Sequence, residues 1–158
     1  MAPESEAAWQ VLAGDLPVEP TIMQQVQGQL PLLDAPEFHQ RAMAMRTLRK
    51  LGKPGALCLM HVNRSTLSCE QTARIDEVLS RFTAFPDETS SRLRENADFL
   101  VDCLYCQDAT LSKLAIVRLE RLTGRTLAFD ASLEDQPRIA AVNALRDSLM
   151  KPAKAEKK

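Results

Sequence analysis

Apolar residues recur along this chain at spacings of three and four, not two. Phe38, Ala42, Met45 and Leu48 form one such stripe, and Ile75, Val78, Leu79 and Phe82 form another. Leu93, Ala97, Leu100, Val101 and Leu104 make a third, with Phe99, Cys103 and Cys106 beside it widening the apolar face. Leu111, Leu114, Ala115, Leu119 and Leu122 repeat the pattern, as do Ile139, Val142, Leu145 and Leu149. This period places each set on one side of an α-helix, so five amphipathic helices are expected between Asp34 and Met150. The uniformly apolar run Ala56 to Val62 has no period; it is read as a further, buried helix, with a strand as the alternative.

Polar punctuation sets the ends. Asp34, Pro36 and Glu37 have the order of a helix start with a capping box, and Ser68 with Gln71 repeats that signature. Asp87, Asp108 and Asp135 open later helices, and Gly124 is placed to close one. Lys53-Pro54-Gly55 reads as a turn. The short link from Gln107 to Thr110 predicts an antiparallel hairpin of its two neighbours.

These elements predict an all-α fold, a compact orthogonal or antiparallel bundle of about five to six helices spanning residues 34–150. Residues 1–33, interrupted by Pro3, Gly14, Pro17, Pro20, Gly28 and Pro31, are expected to be weakly structured, with short helices near Glu6 to Ala13 and Thr21 to Gln29. Residues 151–158 are expected to form a disordered basic tail. No repeat of fixed length supports a solenoid.

Composition agrees with a folded helical domain. Of 158 residues, 45% are hydrophobic and 26% charged, with 5 glycines and few aromatic residues, which favours helix over strand. The net charge of -1 supplies no global attraction to nucleic acid or an anionic membrane, so such a contact would have to be local. The acidic N-terminus lacks the pattern of a secretory signal, and no apolar run approaches the ~20 residues of a membrane span. With four cysteines and no signal, a cytoplasmic protein with reduced thiols is expected.

Candidate chemistry is sparse. Cys58 with His61, and Cys103 with Cys106, each place two zinc-ligand types three residues apart, but in apolar helical segments where plain core packing competes. Cys103 and Cys106 fall late in a helix, the wrong end of the dipole for a redox dithiol. No phosphate loop, nucleophile elbow, dinucleotide turn, zinc finger or helix-turn-helix spacing is present, and no cofactor is expected. Arg46, Arg49, Lys50 and Lys53 form a basic stripe that could hold phosphates or an acidic partner; alternatively it only complements the helix dipole.

The leading expectation is therefore a non-enzymatic interaction protein, a small adaptor, chaperone or regulator. It would engage another protein through apolar helical surface, with Ile22, Met23, Val26 and Leu30 in the amphipathic segment Pro20 to Leu33 as contact candidates. A nucleic-acid-associated regulator using the basic stripe is the second reading, and a zinc-stabilised accessory protein the third. Homo-oligomerisation would also cover broad apolar faces.

Overall fold

A computed structural model describes residues 5–83 and 85–151. Among them there are nine α-helices and no strand: α1 (Ser5–Leu12), α2 (Pro20–Gln29), α3 (Phe38–Lys50), α4 (Gly52–Met60), α5 (Cys69–Leu79), α6 (Asp87–Arg94), α7 (Ala97–Cys103), α8 (Ala109–Thr123) and α9 (Asp135–Met150). The fold is all-helical, and no helix among the described residues is long and apolar enough to cross a membrane. Apart from Lys151, the expected basic tail lies outside the described residues.

Seven of these helices lie within residues 34–150, where five to six were expected, while α1 and α2 fall where short helices were expected. The stripe from Leu93 to Leu104 is divided between α6 and α7, because Asn96 takes an extended backbone and its Oδ1 accepts from the Phe99 amide at 3.0 Å. An Asn inside an apolar period can bond the backbone in this way, and here it starts a new helix. Lys53-Pro54-Gly55 is not a turn but the first turn of α4. Pro54 is tolerated there because the first amides of a helix have no intrahelical acceptor. The break from α3 falls one step earlier, at Gly52, whose φ of 59° suits glycine.

The capping box expected at Asp34 and Glu37 does not form. Asp34 ends a 3-10 helix (Leu30–Asp34), and Ala35 is extended, as a residue before proline prefers. Glu37 then stands at the N-cap of α3 without a side-chain hydrogen bond. Instead Arg41 Nη1 donates to the carbonyls of Ala35 and Pro36, both at 2.7 Å. α9 starts at Asp135 with no side-chain hydrogen bond at its N-cap, Glu134, but three of the expected caps are present. Ser68 and Gln71 cap α5 reciprocally, Asp108 Oδ1 accepts from the amides of Thr110 and Leu111, and Gly124 closes α8 with φ 64°.

The chain divides into two compact units. Among the described residues, one joins residues 5–12 to 87–151, and the other comprises residues 13–83 and 85–86. In the first, α1 packs on α6 and α8, and α7 packs on α6, α8 and α9. Its core includes Val11, Leu12, Leu100, Leu104, Leu111, Leu119 and Val142, all buried. In the second, α2 packs on α4, and α3 and α5 pack on the 3-10 helix Leu30–Asp34 and on each other. Val26, Leu33, Leu48, Leu59, Ile75 and Val78 fill that core.

Candidate partner-binding groove

α3 turns Ala44, Met45 and Leu48 into the core of its unit. Immediately beside that buried face run Phe38, Ala42, Met45 and Arg49, at spacings of four, three and four, with Arg46 and Lys50 on the solvent side. α5 faces this strip with Arg74 and Glu77, while its own Ile75, Val78 and Leu79 are buried. The space between is an open groove of about 590 Å³ lined by Phe38, Ala42, Met45, Arg46, Arg49, Lys50, Arg74 and Glu77.

The groove has an apolar end and a cationic body. Phe38, the first residue of α3, is 76% exposed, although its spacing to Met45 and Leu48 marks it for a core stripe. Its ring carries the Arg41 guanidinium 5.9 Å from the centroid. Met45, only 4% exposed, lies on the floor. Four of the lining side chains are cations and one is a carboxylate.

Two of those cations are engaged. Arg49 pairs with Glu77 from α3 to α5, and Arg74 Nε donates to Glu70 Oε1 at 2.8 Å within α5. Arg46 and Lys50 are exposed, and their side chains have no ion pair or hydrogen bond among the described residues. Lying four residues apart on one helix, they repel each other weakly and share a neighbourhood in which an anion would be favoured.

Of the basic stripe, then, Arg46, Arg49 and Lys50 come together, whereas Lys53 sits exposed in the first turn of α4 and is not part of the lining. The stripe on α2 is used inside its unit: Val26 is fully buried, and Ile22, Met23 and Leu30 are half-buried. Phe38 as an exposed side chain, and Arg74 and Glu77 as the opposite wall, were not singled out from the sequence. The available signal was that Arg74 and Glu77 stand three apart, between the apolar positions of α5.

The cysteines have a different character. Cys58, Cys103 and Cys106 are buried and Cys69 is exposed. Burial pushes the Cys103 thiol up to about 12, assisted by the neighbouring Cys106 and Asp102. Burial also raises Cys106, with Arg138 acting in the opposite direction, and raises Cys58 with help from Glu19. These thiols are held in the protonated form, the opposite of what a nucleophile or metal ligand requires. His61 is exposed, and no group of three or more His, Cys, Asp or Glu among the described residues is arranged to hold a metal ion.

No known protein family matches the chain, and no curated protein or solved structure matches it.

Proposed function

We propose that the chain is a non-enzymatic interaction module, an adaptor, chaperone or regulator, that binds an acidic segment of another protein in the groove between α3 and α5. The observation that carries this reading is Phe38, an aromatic side chain 76% exposed at the end of a groove that also holds four cations. Covering one such ring with an apolar partner contributes on the order of 1.5–3 kcal/mol, and aromatic anchors with charged rims are a common form of binding hot spot. Charge complementarity selects a partner bearing carboxylates.

A polypeptide fits better than nucleic acid. Glu77 places a carboxylate within the lining, Arg49 and Arg74 already have carboxylate partners, and the net charge is -1. With a net charge of -1, nothing beyond the groove adds attraction for a long phosphate backbone, whereas a short acidic segment needs only the local cations.

Photo-cross-linking tests the reading. With p-benzoylphenylalanine in place of Phe38, irradiation in a lysate of the source cells is expected to give adducts on peptides rich in Asp and Glu, lost when Arg46 and Lys50 are both changed to Glu. Nuclease-sensitive adducts would establish the nucleic-acid alternative instead. Adducts confined to a second copy of the chain would make self-association the role of the groove and overturn the proposal.

A further inference from the structure

We propose that the groove reads a spaced motif, an apolar anchor with two or more carboxylates about four to six residues away, and that Glu77 is a built-in competitor that occupies Arg49 until the motif arrives. This deepens the reading above and rests on it.

The spacing follows from α3 itself. Phe38 lies at its first turn, and Arg46 and Lys50 lie eight and twelve residues further on. At 1.5 Å per residue these are about 12 and 18 Å along the axis. An extended peptide advances about 3.3 Å per residue, so an anchor on Phe38 brings residues about four to six positions away over Arg46 and Lys50. Carboxylates next to the anchor would fall over Ala42, short of Arg46 and Lys50 and near Arg41, whose guanidinium already donates to the carbonyls of Ala35 and Pro36.

The competitor follows from the Arg49–Glu77 pair. It links α3 to α5 in the groove lining, and Glu77 is the only carboxylate among the lining residues. Glu77 is 58% exposed and Arg49 36%, so water and ligand reach both. An exposed pair of this kind is weak and exchangeable. A peptide carboxylate can therefore replace Glu77 on Arg49, but it must do so against the charge of Glu77 a few ångströms away. Neutralising Glu77 frees the guanidinium and removes that repulsion, while Arg46 and Lys50 supply the attraction that makes exchange favourable.

Fluorescence anisotropy with the full chain decides the matter. The probe is a labelled peptide with one Phe, a Ser/Gly spacer that sets three consecutive Glu residues about four positions away, and Gln elsewhere. Its controls are the same peptide with Gln for Glu, the same composition with Glu adjacent to Phe, and an oligouridine RNA. Glu77→Gln is expected to bind the spaced probe at least about threefold more tightly than the native chain at low salt, with the gain shrinking as salt rises. Arg46→Glu with Lys50→Glu is expected to weaken it at least about tenfold.

Equal or weaker binding by Glu77→Gln, equal binding of the adjacent-Glu peptide, or tighter binding of oligouridine each overturns the proposal. All the substituted positions are solvent-accessible, and circular dichroism checks that the variants keep the helical fold. The broader reading fails in a different experiment, when Phe38 cross-linking captures no acidic polypeptide. The two failures are thus distinguishable.

Discussion

Arg138 Nη1 donates a 2.6 Å hydrogen bond to the carbonyl of Leu104, a residue 34 positions earlier in the chain. The same guanidinium group also donates to the carbonyls of Cys106 (2.6 Å), Ala131 (2.7 Å) and Leu133 (2.7 Å) and to Ser112 Oγ (3.0 Å). Arg138 is 2% exposed, with the Phe129 ring centroid 5.8 Å from its guanidinium carbon. Carbonyl oxygens and a ring face thus solvate a buried cation where a carboxylate is more usual.

Removing that side chain leaves several buried acceptors without donors, each costing about 1–3 kcal/mol before relaxation. Arg138→Met is expected to lower stability by about 3–5 kcal/mol, and Arg138→Lys by somewhat less, since an ammonium group offers three donors and no planar fork. Urea denaturation measures both. If Arg138→Met costs less than about 1 kcal/mol, the network does not hold the α7–α8 corner and the 129–134 segment to α9.

Gln71 performs two tasks with one amide. Its Oε1 accepts from the Ser68 amide at 2.8 Å, completing the capping box of α5, and its Nε2 donates to the Leu30 carbonyl at 2.9 Å. Gln71→Glu keeps the first bond and loses the second, whereas Gln71→Ala loses both. Destabilisations of about 1 and about 2 kcal/mol, in that order, are expected from thermal unfolding. Equal effects of the two substitutions would remove the long-range bond from the account.

Legibility in the sequence followed locality. Helix identity and the caps at Ser68, Asp108 and Gly124 could be read because each depends on residues within one turn. The Asn96 break was missed because an apolar period ran across it, and the first turn of α4 was missed because a proline-glycine pair has the same sequence appearance in a turn and at a helix start. The groove was half legible. Arg46, Arg49 and Lys50 share a helix, whereas their pairing with α5 depends on how two distant segments pack. Arg138 carried no signal at all: nothing in its neighbours announces a buried cation whose partners come from three other parts of the chain.

Phe38 separates binding from folding. A phenylalanine in a core stripe costs about 3–5 kcal/mol when truncated, but one that is 76% exposed should cost within about 0.5 kcal/mol. Phe38→Ser is accordingly expected to leave the urea midpoint unchanged while abolishing binding of the spaced acidic peptide in the anisotropy assay. A large loss of stability would place the ring in the core in solution and remove it from the groove.

The Cys103 thiol, pushed up to about 12 by burial, gives stability a defined pH dependence. An unfolded thiol ionises near about 8.5, whereas the folded one stays protonated well beyond that. Between those values the unfolded state binds fewer protons, so the contribution is fully present below about pH 8.5 and declines as pH rises towards the folded value, by up to about 1.4 kcal/mol per pH unit. Cys103→Ala lacks this contribution. The stability difference between the native chain and the variant should shrink as pH goes from 8 to 10.5, and parallel curves would contradict the burial of a protonated thiol.

The last test concerns α1, in a segment whose prolines and glycines suggest weak structure. Ala8, Val11 and Leu12 are completely buried, and Trp9 is 8% exposed. Arg94 Nε donates to the Val11 carbonyl at 2.8 Å, and Gln10 Nε2 donates to the buried Ser90 Oγ at 3.4 Å. A helix of eight residues is too short to persist alone, so its stability must come from packing on α6 and α8. Leu12→Ala removes three buried carbon atoms from that contact and is expected to cost about 2–5 kcal/mol. Trp9, the single tryptophan of the chain, reports the transition by fluorescence. A weakly structured segment would tolerate the change, so a cost below about 1 kcal/mol would detach α1 from the core; a cost in the expected range makes residues 5–12 part of the same cooperative unit as α6 to α9.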